Sequence, residues 1–212
     1  MWYDKIDVSA MLRLQQGGVE VRVISGTAKG RPLRAVPGMN TRPTTDKVKE
    51  AIFSMIGPYF AGGMVLDLYA GTGGLAIEAL SRGMDKAVLI DQDRKAVETI
   101  RDNIERAGFA DRAEIYRNDA GKALSVMAKR GLVFDLVFLD PPYKLTNMDL
   151  VMFQLQEKQM LADGAIIVVE HDAKITYEPQ IGDLIRSRCS EYGDTAVSIY
   201  RHQARVNTQT LE

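Results

Sequence analysis

Between Met64 and Glu170 the sequence keeps one rhythm: five short apolar runs, each with an acid at or near its end, separated by four helical stretches. The runs are "MVLDLYA", "KAVLIDQD", "AEIYRND", "FDLVFLD" and "GAIIVVE". The stretches between them are "GGLAIEALSRG", "RKAVETIRDNIERAG", "AGKALSVMAKRG" and "MDLVMFQLQEKQ", with Gly83 and Gly108 placed to end the first two. Strands apolar on both faces, alternating with helices, build a parallel sheet wrapped on both sides. In such α/β sheets ligands bind beyond the carboxyl ends of the strands. Those ends read Asp67, Asp91, Asp119, Asp140 and Glu170, so the strand tips are where chemistry is expected.

The flanks read differently. "VRVISG" and "RPLRAV" form a basic β-hairpin (Val21–Val36). "RPTTDKVKEAIFSMIG" enters a helix, with Thr44 or Thr45 as cap and Val48, Ile52, Phe53 and Ile56 as its apolar stripe, and Gly57-Pro58 ends it. "DLIRSRCSEYGDTAVSIYRHQ" gives two strands joined at Gly193-Asp194, a hairpin able to add an antiparallel edge to the sheet. The 212 residues suit one large domain with a small appendage. Residues 1–20 are read as a leader or tag, expected to be disordered; 21–60 as the basic hairpin and helix; 61–204 as the main domain; 205–212 as a tail.

No apolar run reaches the roughly 20 residues of a membrane helix. The one cysteine, Cys189, cannot form an internal disulfide; it is read as a small packed side chain in a protein of the reducing cytoplasm. The two histidines, His171 and His202, stand far apart with no cysteine pair, so no metal site is expected; His171 is read as a surface or capping residue. Met148, Met152 and Met160 read as core filler on a helix. Net charge is −1, yet Val21 to Glu50 carries seven basic residues against two acids, a pointer to a polyanion at that end.

"DLYAGTGGLA" (Asp67–Ala76) is a glycine turn between a strand and a helix. Gly71, Gly73 and Gly74 allow a sharp turn and close approach of a ligand to the backbone, and the helix start offers unpaired N–H groups. Dinucleotide sites use such turns for a pyrophosphate, but here position 76 is alanine and Asp67 enters the turn. A carboxylate there suits a cation. S-adenosylmethionine fits: it has no phosphate, and it carries an ammonium, a sulfonium and a carboxylate. Asp91, about 20 residues on, stands where an acid takes both ribose hydroxyls. Asp119 can accept from an adenine amine, with Ala120 against the ring. A glycine-rich turn with helix-capping acids is the plain alternative for the turn taken alone.

"LDPPY" ends the fourth run. Pro141 and Pro142 fix φ and remove two donors, which leaves an acceptor-only corner built from the Asp140 carboxylate and nearby carbonyls such as that of Pro141. An exocyclic amine has two hydrogens for such a corner. Tyr143 can stack on a base, a contact worth about 1–3 kcal/mol, and the base must be single-stranded or flipped out to arrive.

"DLYAGTGG", "IDQD", "RND" and "LDPPY" together resemble the class I S-adenosylmethionine-dependent methyltransferases that modify exocyclic amines. "RVISGTAKGRPL" followed by "RPTTDKVKEAIFSMI" is similar to the bacterial 16S rRNA guanine-N2 methyltransferase family, which acts at the small-subunit guanine 966 site. The likeness covers about Val21 to His202. It implies a Rossmann-like fold: a mostly parallel seven-stranded sheet with helices on both faces, a C-terminal antiparallel hairpin and a small N-terminal extension. It implies that Asp67, Tyr69, Ala70, Gly71, Thr72, Gly73, Gly74, Asp91, Gln92, Asp119 and Ala120 hold the cofactor, with Thr44 and Thr45 near its methionine end. Asp140, Pro141, Pro142 and Tyr143 would hold the guanine amine. Arg22, Lys29, Arg31, Arg34 and Arg42 would grip RNA phosphates. The implied partner is 16S rRNA in an assembling small subunit, met by a cytoplasmic monomer that needs neither metal nor membrane. An adenine-N6 methyltransferase of DNA or RNA is the alternative; those enzymes more often carry Asn in place of Asp140. A non-enzymatic RNA-binding module and an NAD oxidoreductase are weaker readings, the latter set against by Ala76.

Overall fold

The computed structural model describes residues 21–38, 46–142 and 144–203. Strands β1 (Val21–Arg22) and β2 (Pro32–Leu33) pair antiparallel, Val21 opposite Leu33, as the basic hairpin requires. Helix α1 (Asp46–Ile56) follows; Ile52, Phe53 and Ile56 are buried and Gly57 ends it at φ 128°. Its expected caps, Thr44 and Thr45, lie outside the described residues.

The main sheet is built from β3 (Met64–Asp67), α2 (Gly74–Ser81), β4 (Lys86–Asp91), α3 (Arg94–Ala107), β5 (Ala113–Arg117), α4 (Ala120–Lys129), β6 (Phe134–Leu139), α5 (Met148–Glu157), β7 (Leu161–Asp172), β8 (Gln180–Ile181), β9 (Leu184–Tyr192) and β10 (Thr195–His202). The strand order is β5-β4-β3-β6-β7-β10-β9-β8. The first five are parallel, and β10, β9 and β8 add antiparallel. All seven expected strands are present; β8 is an eighth, a two-residue piece against the end of β9. The chain steps outward from β3 to β5 and then returns to lay β6 on the other flank of β3. That reversal opens a crevice at the tips of β3 and β6.

The period of two splits the strand residues between two cores. Val65, Leu89, Phe138 and Val168 face α1, α2 and α3 through Ile52, Phe53, Ile77, Leu80, Ile100 and Ile104. Leu66, Val88, Val137 and Ile167 face α4 and α5 through Leu124, Met127, Met152 and Leu155. Helix α3 shows why these elements start and stop where they do. The Asp93 carboxylate caps it, accepting from the N–H of Lys95 (2.7 Å) and Ala96 (3.0 Å), and Gly108 closes it in the left-handed conformation. Among the described residues no helix is long and apolar enough to cross a membrane.

Three readings are corrected. His171 is buried, not at the surface, because β7 runs two residues past Glu170 to stay paired with β10. Its ring nitrogens sit 2.9 Å from Ser198 Oγ and from the Asp172 carbonyl. Cys189 is exposed, because it lies in the outward run Ser187–Cys189 of β9, near the open edge of the sheet. Met160 is buried with Met148 and Met152 but lies past the end of α5.

Candidate active site

The glycine turn is pinned to the strands on either side. The N–H of Leu68 donates to the carbonyl of Phe138 on β6 (3.2 Å), and that of Ala70 to Ile90 on β4 (2.9 Å). Gly71 and Gly73 then take positive φ, 52° and 77°, which glycine adopts without steric cost. A Cβ on Gly73 would lie 3.2 Å from Leu89 Cδ2, whereas one on Gly71 would meet nothing within 4 Å. Gly73 is thus the packed foot of the turn and Gly71 its open face.

Asp91 sets that face. Its Oδ2 accepts from the Gly71 N–H and its Oδ1 from the Asp93 N–H, both at 2.9 Å. Burial raises its pKa, and those two N–H groups oppose the rise. Asp67 is fully buried and accepts from the Ala76 N–H at 3.3 Å. Burial, with the charge of Asp140 added, pushes its pKa up to about 8. Asp119 caps α4 through the Lys122 N–H (3.1 Å), two residues beyond β5, and the Asn118 N–H reaches the Asp91 carbonyl (3.0 Å). The Tyr69 phenol is held up to about 12 by burial and then by the nearby Asp119 charge.

The second turn follows β6. Asp140 and Pro141 are half-buried, Pro142 is exposed, and the Pro142 carbonyl accepts from the Leu145 N–H at 2.8 Å. Both turns open into one cavity of about 1070 Å³. Asp67, Tyr69, Ala70, Gly71, Thr72 and Gly74 line it, with Asp91, Gln92, Asp119 and Ala120. Asp140, Pro141 and Pro142, at the tip of the strand paired with β3, line it too, with the Asp140 charge close enough to act on Asp67. Of the described residues expected at the cofactor, only Gly73 does not form the wall; it lies beneath it. Thr44, Thr45, Arg42 and Tyr143 lie outside the described residues.

The basic residues are exposed, and three have partners within the chain. Arg22 Nε lies 3.1 Å from Asp46, Arg34 Nε 3.1 Å from Asp102, and Arg31 donates to the Arg106 carbonyl at 2.6 Å. Lys29 is exposed on the intervening turn.

Two buried polar residues escaped the sequence reading. Lys49 lines the cavity, donates to the Arg22 carbonyl (2.5 Å) and lies 3.6 Å from the buried Glu78 carboxylate; desolvation lowers its pKa. Asn103 is wholly buried; its Oδ1 accepts from the Arg34 N–H (2.7 Å), and its Nδ2 donates to the carbonyls of Arg34 (3.0 Å) and Thr72 (2.9 Å). Both were marked in the sequence as polar residues on an apolar stripe: Lys49 with Ile52, Phe53 and Ile56, and Asn103 with Ala96, Ile100 and Ala107.

The arrangement can bind a nucleoside with a cationic tail at the first turn and an amine at the second. The residues present fit such a ligand: an open backbone at Gly71, a carboxylate beside it, a buried acid at Asp67, and an acceptor corner lining the same cavity.

The family model described as "Conserved hypothetical protein 95" matches residues 21–201. YlbH of Bacillus subtilis, provisionally described as an rRNA methyltransferase, is 50% identical over 181 residues, covering 85% of this chain and 98% of its own. Ribosomal RNA small subunit methyltransferase D of Escherichia coli is 30% identical over 191 residues, covering 89% of this chain and 93% of its own. The solved structure of Escherichia coli yhhF superposes with a TM-score of 0.74 at 32% identity, covering 88% of this chain and 99% of that one.

Proposed function

The chain belongs to this family of S-adenosyl-L-methionine-dependent methyltransferases, and on that premise we propose that it methylates the exocyclic N2 amine of a guanine in 16S rRNA, at a site of the guanine 966 type. The observation that carries the reading is the shared cavity: the glycine turn and the Asp140–Pro142 turn follow paired strands and line one space. When bound, S-adenosyl-L-methionine supplies a methyl group already activated on a sulfonium.

The chain's own residues do the rest. Asp91 holds the Gly71 turn in shape and keeps lone pairs for ribose hydroxyls. Asp67 gains its charge beside a cation. Asp140 and the Pro141 carbonyl accept the two amine hydrogens, aim the nitrogen lone pair into the cavity and stabilise the positive charge that grows on it. The proton shed by the amine passes to Asp140. Orientation supplies most of the rate, since little acid–base chemistry is required. The exposed Arg22, Lys29, Arg31 and Arg34 bind phosphates of the rRNA in an assembling small subunit. The enzyme works as a monomer in the cytoplasm.

Undermethylated small subunits incubated with the protein should yield N2-methylguanosine on mass analysis of their nucleosides. N6-methyladenosine instead would overturn the reading. Asp140→Ala should abolish transfer while S-adenosylhomocysteine affinity stays within about 3-fold, checked by calorimetry; equal loss of both would remove Asp140 from the amine.

A further inference from the structure

The geometry points to Glu170 as the residue that selects guanine, its carboxylate accepting the guanine N1–H beside the amine held at Asp140. This rests on the guanine-amine reading above.

The placement follows from register. On β6, Leu136 and Phe138 face the core shared with α1 and α2; on β7, Ile166 and Val168 face the same core. The next residues with that orientation are Asp140 and Glu170. The parallel pairing of Leu139 with Val169 sets Glu170 directly beside Asp140, on strands about 4.8 Å apart. Both line the cavity, and Glu170 is half-buried. On its other flank Glu170 is paired with Val197 of β10, so the row of strand-tip acceptors stops there. Glu170 carries one methylene more than Asp140, enough to lean toward the atom next to the amine.

The chemistry separates the two purines. The guanine edge presents the N2 amine and N1–H side by side, both donors. The adenine edge presents its N6 amine beside N1, an acceptor. A carboxylate next to the amine site completes a donor–acceptor match with guanine and faces a lone pair in adenine. Sites built to bond a substrate N–H reject analogues that lack it, here because the carboxylate and the N1 lone pair would be two acceptors face to face.

The test uses small subunits reconstituted around 16S rRNA carrying either guanine or 2-aminopurine at the target. 2-Aminopurine keeps the amine but lacks O6 and has a lone pair at N1, so the Glu170 variant is needed to isolate the N1 contact. The wild-type protein should methylate 2-aminopurine roughly 100-fold more slowly than guanine, the upper range for one unmade hydrogen bond at a half-buried acceptor. In Glu170→Gln the side-chain amide can turn its Nε2–H toward that lone pair, and the ratio should fall to within about 5-fold, with S-adenosylhomocysteine affinity unchanged as the control for folding. Equal wild-type rates on the two RNAs would overturn the proposal and leave guanine-amine methylation standing. So would wild-type discrimination that survives in Glu170→Gln. If neither RNA is methylated, the guanine reading itself falls. Should that variant fail to fold, Glu170→Ala takes its place, and wild-type discrimination that survives in it would equally overturn the proposal.

Discussion

Asp67 is the most perturbed carboxyl group of the site, and the cause is mainly desolvation: it lies at the end of β3 with one backbone N–H at 3.3 Å and Asp140 as a like-charged neighbour. Its folded pKa of about 8 stands above the unfolded value of 3.8. Between those values the folded chain keeps a proton that the unfolded chain releases, so this group's contribution to stability is full below about pH 4 and is lost as pH rises through 8. Asp67→Asn should therefore flatten the decline in melting temperature between pH 5 and 9. The same proton opposes a cation. Affinity for S-adenosylmethionine should tighten as pH rises toward 8 in the wild type and stay level in Asp67→Asn, read by calorimetry at three pH values. A wild-type affinity independent of pH would show that no positive charge of the ligand lies near this carboxyl.

At the scale of elements, α3 joins the two ends of the proposed chemistry. Asn103 bonds the Thr72 carbonyl of the glycine turn and both backbone groups of Arg34 on the basic segment. Asn103→Ala should cost about 1–3 kcal/mol in denaturant unfolding, since it strands buried backbone groups. It should also weaken both cofactor and RNA binding; a loss confined to stability would make the link purely structural. Much of this level was legible in the chain. The strand–helix alternation, the glycine turns and all five terminal acids were readable, because a strand buried on both faces leaves an unbroken apolar run. What escaped depends on partners distant in sequence. The burial of His171 follows from how far β10 pairs along β7, and β8 exists only as a partner for the end of β9. Lys49 and Asn103 could have been found as polar intruders on apolar stripes, but nothing local shows that one meets Glu78 and the other Thr72.

Across the whole molecule the basic extension is welded to the main core. Phe53 of α1 packs against Phe138 of β6 with ring centroids 5.9 Å apart, and the buried Glu78 of α2 accepts from the N–H groups of Ile24 (2.8 Å) and Ser25 (2.9 Å). The backbone that carries the basic side chains is therefore tied to the wall of the cavity. The exposed Arg22 and Arg34 can exchange their half-buried carboxylate partners for phosphates at little cost, since such surface pairs are worth about 0–1 kcal/mol. Replacing Lys29 and Arg31 together by alanine should weaken RNA binding for all sequences alike. It should also lower the slope of log affinity against log salt by about 1 per residue lost, measured by filter binding from low to moderate salt. An unchanged slope would place the RNA on another face.

The latch between Asp91 and the Gly71 amide has a consequence for recognition. Because the chain itself supplies the partner that fixes this turn, its shape does not wait for a nucleoside. The mould is cast during folding, and a ligand that enters meets a finished surface, with little loop freedom left to surrender on arrival.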